Sequence, residues 1–391
     1  MGTSSRTGSA SGRHNPSMHR SFLRIAPAGA PVAPRHAATR AALLAFALAC
    51  GASSGVAAAP QQAKRKVAQT VEATPYATRE DAMRFADDVA ARRNLDREWV
   101  RATIGAARLL PNVPRLMLPA TRGTAKNWRA YRGRFIDPVR IAAGVRFWRD
   151  NAATLARAEA EYGVPPEIVV GIIGVETIYG RNMGSFRVID ALATLSFDFP
   201  AGHPRAAERE AFFRGELESF LSTESRTAQD PLAPLGSYAG AMGMPQFMPS
   251  SIAKYAVDFD GDGRIDLVDN PADVIGSVAN YFKAFGWRRG MPSTYPVAFD
   301  PARLRMDVLM APDILPTFSA DSFVAAGAVL QGPALSHPGL LALIELQNGA
   351  DAPTYVAGTR NFYVITRYNW SSYYAMSVLD LGDEVKAAMA Q

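Results

Sequence analysis

The sequence predicts a mainly α protein of the α+β class, with a helical core, a helical N-terminal region and a small β-rich insert late in the chain. Three observations carry this reading. Apolar residues recur at helical spacing from about Thr78 to Tyr162, and again in blocks as far as Phe285. Prolines open several of these blocks and glycines close them. After Tyr295 the pattern becomes scattered prolines and short apolar runs, which suit strands. With 391 residues, 48% of them hydrophobic, the chain has material for two or three domains.

The elements follow in order. Thr78 precedes "REDAMRFADDVAARRN", with Asp81 as its capping-box partner and Met83, Ala86, Val89 and Ala90 on one face. Asp96 caps a second helix carrying Trp99, Val100, Ile104 and Ala107. A proline-rich connector leads to a long helical pattern from Pro138 to Tyr162, stopped by Gly163. The next helix starts at Pro165–Pro166 and ends near Gly180. Others span about Arg205 to Leu221 and Ala272 to Phe285. "LLALIELQ", "TYVAG" and "NFYVITRY" read as strands, and a last helix runs from Ser371 to Leu381. No internal repeat is visible. The resulting division is a leader (1–59), a linker (60–75), an N-terminal helical domain (76–145), a core (146–294 and 361–391) and a β-rich subdomain (295–360).

The formal net charge of +6 does not indicate an acidic partner. Residues 1–50 hold six arginines (Arg6, Arg13, Arg20, Arg24, Arg35, Arg40) and no acid, so the remainder is neutral and a nucleic-acid partner has no electrostatic support. The leader itself resembles an export signal: "RHAATRAALLAFALAC" is a positive flank followed by an apolar run, Ala41 to Ala49, too short to span a bilayer permanently. Two routes stay open. Cys50 in "ALAC" stands where a bacterial lipoprotein carries its lipid, and cleavage near "GVAAAP" would instead release a soluble product. Cys50 is the single cysteine, so no disulfide framework exists. Outside the leader only His203 and His337 remain, which weighs against a histidine-rich zinc site and a Ser-His-Asp triad.

Four stretches carry chemistry. "DFDGDGRIDLVD" fits a calcium loop through Asp258, Asp260, Asp262 and Gly263, with the Arg264 carbonyl as a further ligand. Its twelfth position is Asp269 rather than glutamate, and Asp273 is the candidate to close the site. The alternative is a solvated acidic turn, although five aspartates within the loop would repel one another without a cation. "GIIGVETIYG" places Glu176 alone in an apolar helix, where burial would raise its pKa and leave an acid able to protonate a leaving oxygen. From the helix alone, a buried glutamate satisfied by Arg181 or by backbone is the simpler reading. "GSYAGAMGMPQFMPSS" and "RYNWSSYYAM" carry hydroxyls, amides and aromatics, as a sugar-binding groove requires, although each taken singly is better read as ordinary core or surface packing.

"YGVPPEIVVGIIGVETIYGRNMG", "ALATLSFD", "SYAGAMGMPQFMPSSIAKYAVDFDGDGRIDL", "GSVANYFKAFGW" and "NFYVITRYNWSSYYAMSVLDLG" together resemble the membrane-bound lytic murein transglycosylase B family, from about Tyr76 to the C-terminus. The resemblance implies a lysozyme-like core with an EF-hand-like loop at 258–273, and an exported enzyme of the periplasm, either lipid-anchored at Cys50 or soluble. Its substrate would be peptidoglycan glycan strands. It implies Glu176 as the catalytic acid and a groove including Tyr131, Ser237, Gln246, Phe247, Tyr281, Tyr368, Asn369 and Tyr374. It also implies structural Ca2+ held by Asp258, Asp260, Asp262, Arg264 and Asp273, no organic cofactor, and a monomer. One acid suffices to protonate the glycosidic oxygen and then deprotonate the sugar's own C6 hydroxyl, giving a 1,6-anhydro end. A hydrolytic muramidase and a non-catalytic peptidoglycan-binding protein are the competing readings.

Overall fold

A computed structural model of the chain describes residues 76–119, 126–227 and 229–390. The leader with Cys50 and the linker 60–75 lie outside the described residues. In chain order come α1 (Glu80–Arg93), α2 (Arg97–Gly105), α3 (Val113–Leu116), α4 (Trp128–Arg132), α5 (Pro138–Asp150) and α6 (Ala152–Tyr162). Then follow α7 (Pro166–Thr177), α8 (Val188–Phe197), α9 (Ala206–Thr227), α10 (Pro249–Tyr255) and α11 (Pro271–Ala284). Short helices α12 (Met306–Met310) and α13 (Ala320–Ala325) interrupt a strand-rich stretch, and α14 (Arg360–Ile365) and α15 (Ser372–Met389) complete the helices. No helix among the described residues is long and apolar enough to cross a membrane.

Helix α7 is the centre of the largest core. Every residue from Ile168 to Val175 is buried, so it is apolar all round, as a helix surrounded by others must be. Around it pack Leu155 of α6, Val274, Val278 and Phe282 of α11, Phe362 of α14, and Val378 and Leu381 of α15. Each such side chain contributes about 1.5–3 kcal/mol on burial. Contact with α15 is closest. A methyl group added at Gly171 would lie 2.3 Å from the Val378 carbonyl oxygen, and one at Gly382 would lie 2.2 Å from that of Glu167. The two backbones therefore touch without intervening side chains.

A second core joins α1 and α2 to α8 and α9 through Ala86, Val89, Val100, Ile104, Leu192, Phe213 and Leu217. A third lies under a three-stranded antiparallel sheet of β3 (Thr294–Pro296), β7 (Asp351–Gly358) and β6 (Ala342–Asn348), in that order. Two further antiparallel pairs exist: β1 (Phe186–Arg187) with β2 (Leu235–Gly236), and β4 (Ala298–Phe299) with β5 (Ala328–Val329).

Several local expectations are corrected. The pattern from Pro138 to Tyr162 is two helices, broken where Asn151 leaves helical geometry and bonds its side-chain amide to the Phe147 carbonyl at 2.9 Å. The Thr78–Asp81 capping box does not form. Arg79 precedes α1 and forks instead between Asp81 (2.7 Å) and Asp198 (2.7 Å), charge-assisted bonds that outcompete a hydroxyl cap. "NFYVITRY" is not a strand. Thr359 caps α14 there by accepting the Asn361 N–H, and Phe362, Val364 and Ile365 turn into the core. The last helix continues past Leu381 to Met389, because Gly382 is where α15 meets α7.

Candidate functional site

Glu176 occupies the last turn of α7, where the helix leaves the core and meets solvent. Its residue is half-buried, not sealed in the interior. Tyr374, at the start of α15, donates its hydroxyl to Oε1 at 2.5 Å. Burial pushes the carboxyl up to about 7, and only the Tyr374 bond, which favours the ionised form, acts against it. The negative end of the helix dipole works in the same direction as burial. The arginine alternative falls: the partner is a neutral phenol, and Arg181 is exposed.

Four tyrosines surround this acid. Charge on Glu176 opposes ionisation of Tyr131, Tyr281, Tyr368 and Tyr374, adding to the dominant effect of burial. Tyr131 is pushed up to about 12 and the other three are raised well above the ordinary phenol value, so all are neutral donors or acceptors at any physiological pH. Tyr368 stacks on Tyr374 at 6.4 Å and packs tilted against Tyr281 at 4.9 Å, and Phe247 lies 5.6 Å from Tyr281. Tyr368 donates to the Pro245 carbonyl (2.5 Å) and Tyr281 to that of Arg367 (2.7 Å). These bonds fix two of the four rings beside the acid; Tyr281 and Tyr374 are buried and Tyr368 is partly exposed.

The segment around Gln246 is a looped-back turn, with Met242 bridged to both Gly236 and Phe247. Gln246 adopts a positive φ of 51°, and its side-chain amide donates to the Met183 (3.1 Å) and Gly243 (2.9 Å) carbonyls. Both amide hydrogens are thus engaged by the protein. Ser237 opens the turn, its hydroxyl accepting the N–H of Ala241 (3.1 Å) and Ala239 (3.4 Å). No hydrogen bond joins Ser237 to the Glu176 cluster. Asn369 is buried beside Tyr368 in the chain.

Two features had weak sequence signals. Ile178, Tyr179 and Gly180 take positive φ values of 53°, 56° and 87° directly after α7. A β-branched residue in that region is a true outlier, costing on the order of 1–3 kcal/mol, and such strain concentrates at functional sites. Arg140 of α5 was also missed. It is buried, and its guanidinium donates to the carbonyls of Gly174 (3.0 Å) and Arg134 (2.8 Å) and pairs with Asp137 (2.8 Å). It thereby ties the end of α7 to the turn that follows Tyr131.

In the acidic loop, carboxylate oxygens of Asp258, Asp260 and Asp262 lie within 4.8 Å of one another, all exposed. Asp258 accepts the Gly261 (2.7 Å) and Gly263 (2.8 Å) N–H groups, and Gly263 has the positive φ (90°) that the bend needs. Three converging oxygen donors on a preformed turn suit a hard cation. The Arg264 side chain turns to Asp266 (2.6 Å) and leaves its carbonyl to the backbone of the loop. Asp273 is not part of the trio. It is fully buried at the start of α11, and its two oxygens accept the N–H of Phe259 (2.7 Å) and Asp266 (2.8 Å). It braces the loop from below.

Comparison with known proteins identifies the family of the chain. A family profile described as the transglycosylase SLT domain matches residues 77–383. Membrane-bound lytic murein transglycosylase B of Escherichia coli (strain K12) is 43% identical over 325 residues, covering 81% of this chain and 85% of that protein. The Escherichia coli lytic transglycosylase SLT35 in complex with bulgecin A is 42% identical, with a TM-score of 0.72 over 83% of this chain and 99% of that one. A structure of the same enzyme in complex with calcium gives a TM-score of 0.71 at 42% identity, over 83% and 99% of the two chains. The chain belongs to the transglycosylase SLT domain family.

Proposed function

We propose that this protein is a lytic transglycosylase that cleaves the β-1,4 bond between N-acetylmuramic acid and N-acetylglucosamine in peptidoglycan, with Glu176 as its single acid and base. One observation carries the assignment of roles: a half-buried glutamate raised to about 7, held by a neutral tyrosine and with no cation beside it. Near neutrality a large fraction of such a group is protonated, as a general acid must be. Glu176 donates its proton to the glycosidic oxygen as the C1–O bond breaks and positive charge develops on the sugar ring. The resulting carboxylate then takes the proton of the muramic acid C6 hydroxyl, whose oxygen bonds to C1. Water is not consumed, and Glu176 ends protonated again. Closing the ring within one sugar replaces a bimolecular capture by an intramolecular one.

Tyr368, the partly exposed ring of the Phe247–Tyr281–Tyr368–Tyr374 cluster, supplies an aromatic face for a sugar ring, and the three buried rings support it from behind. Tyr131 lies within electrostatic reach of Glu176 on the α4 side. Ser237 keeps its own hydrogen for a ligand, Gln246 offers its carbonyl oxygen, and Asn369 completes the polar set. The core is read as lysozyme-like with an EF-hand-like loop. Asp258, Asp260, Asp262 and the Arg264 carbonyl are assigned to structural Ca2+, with Asp273 as brace rather than direct ligand. Such a cation would neutralise three exposed carboxylates and stabilise the folded state by mass action. A periplasmic location, with or without a lipid on Cys50, fits the leader.

Mass spectrometry of products from purified murein tests the reading. Anhydro-muramic ends made by the wild type, and lost in Glu176→Gln, are expected; reducing ends would establish a muramidase, and native activity in the variant would remove Glu176 from the chemistry. A calcium chelator should lower the melting temperature, and an unchanged melting curve would contradict the metal assignment.

A further inference from the structure

The residue after the acid is fully buried and unusually well connected. The Thr177 hydroxyl accepts the N–H of Gly180 (3.0 Å) and lies 2.9 Å from the Met244 carbonyl and 3.3 Å from that of Ile173. It has one hydrogen, and the shorter distance gives it to Met244. Thr177 therefore performs two tasks with one oxygen. It closes the turn Ile178–Tyr179–Gly180, whose three consecutive positive φ values need an external anchor. It also fastens the end of α7 to the segment that carries Gln246 and Phe247. That fastening is reciprocal: Gln246 donates back across the gap to Met183, and Met244 packs its side chain on Gly180. Met244 is itself held from behind by its N–H bond to Leu267, at 2.8 Å.

We infer that Thr177 is a positioning residue for the reaction: its hydroxyl holds the turn of Glu176 and the Gln246–Phe247 wall of the cleft in one fixed relation. It touches no substrate and acts through Glu176. A side chain one residue from the acid, bonded to the opposite wall, sets the separation of acid and groove more directly than packing of α7 in the core does. This inference rests on the proposed role of Glu176.

Removing the hydroxyl has a chemical consequence besides a steric one. Without it the Gly180 N–H and the Met244 carbonyl lose their partner in a buried place and open to water. Water entering beside Glu176 weakens the desolvation that keeps its carboxyl protonated. The other titratable groups facing the acid are the hydroxyls of Tyr131 from α4, Tyr281 from α11, Tyr368 from the turn before α15 and Tyr374 from α15 itself. Arg140 from α5 bonds backbone carbonyls and Asp137. Burial raises all four phenols, so none of them titrates near neutrality and the alkaline limb of the pH profile reports Glu176.

Thr177→Val keeps the shape and removes the oxygen. In the full-length enzyme acting on purified murein, kcat should fall about 10- to 100-fold with KM little changed, as for a small misplacement of a reacting group. The alkaline limb of kcat should move to lower pH. Thr177→Ser should restore both. Where Thr177→Val is too unstable to purify, Thr177→Ala leaves room for a water and carries the same readout. A variant with lowered melting temperature but native kcat and native pH limb would overturn the inference and leave Thr177 as core packing. Glu176→Gln run alongside separates the cases: if it too is fully active, the role of Glu176 has failed, not that of Thr177.

Discussion

Helix α7 carries two glutamates, and they have opposite fates. Glu167, in the first turn, lies beside the ammonium of Lys386 at 2.8 Å, an ordinary partly exposed ion pair. Glu176, nine residues on at the other end of the helix, meets a phenol instead. The residue type, the helix and even the partner helix, α15, are the same. What differs is the partner's charge, together with the burial that raises Glu176. A cation stabilises the carboxylate and gives a structural pair; a neutral hydroxyl in a low-dielectric cleft leaves the carboxyl raised to about 7. An apolar helix does not by itself make a catalytic acid. Burial without a compensating charge does.

The contrast is broken most severely by exchanging each carboxyl for its amide. Glu176→Gln should lose about 10²–10⁴-fold in the rate of anhydro-muropeptide release, whereas Glu167→Gln should leave that rate unchanged. Stability should move the other way. A carboxyl whose folded-state pKa lies above its unfolded value binds more protons when folded, so stability falls as pH rises from about 4.5 to about 7 and then levels. Glu176→Gln should therefore match the wild type at pH 4 and exceed it at pH 8, by at most about 3 kcal/mol and by less where solvent reaches the cleft. Thermal melts at the two pH values measure it, and equal melting differences at both would refute the shift.

A smaller effect comes from Tyr374→Phe. Its hydroxyl favours the ionised acid, so removal should raise the pKa of Glu176 further and carry the alkaline limb of kcat to higher pH. An unmoved limb would mean that the bond does not persist in solution. The least effect belongs to Lys386→Met, which breaks the pair at the other end of α7. An exposed ion pair of this kind is worth about 0.2–1 kcal/mol, visible as a slight drop in melting temperature with catalysis intact.

Much of this helix was legible in the sequence. Pro165–Pro166 and the apolar run that follows mark its start and its burial, and one carboxyl among isoleucines and valines marks itself as unusual. Its partner was not legible from chemistry, because Tyr374 stands 198 residues away and nothing local connects them. The turn after the helix was hidden for a different reason: isoleucine and tyrosine carry no preference for positive φ, which the tertiary contacts of Thr177 impose. The stretch around Phe362 was misread because a short apolar run fits a strand and a buried helix equally well, and only its cap at Thr359 decides. Asp273 looked like a ligand by its position in the loop, yet the backbone N–H groups of Phe259 and Asp266 reach it first.

The touching backbones of α7 and α15 bear on how this enzyme could be engineered. Glycine-to-alanine exchange inside a helix is a routine stabilising step, favoured by roughly 0.5–1 kcal/mol. At Gly171 and Gly382 it would fail for steric reasons, since each new methyl would meet a carbonyl oxygen of the other helix. The two helices would have to part, and Tyr374 rides on one while Glu176 rides on the other. Two absent methyl groups therefore act as a spacer for the acid and its phenol. A thermostability library that treats them as ordinary helix positions would be mutating the active site from a distance.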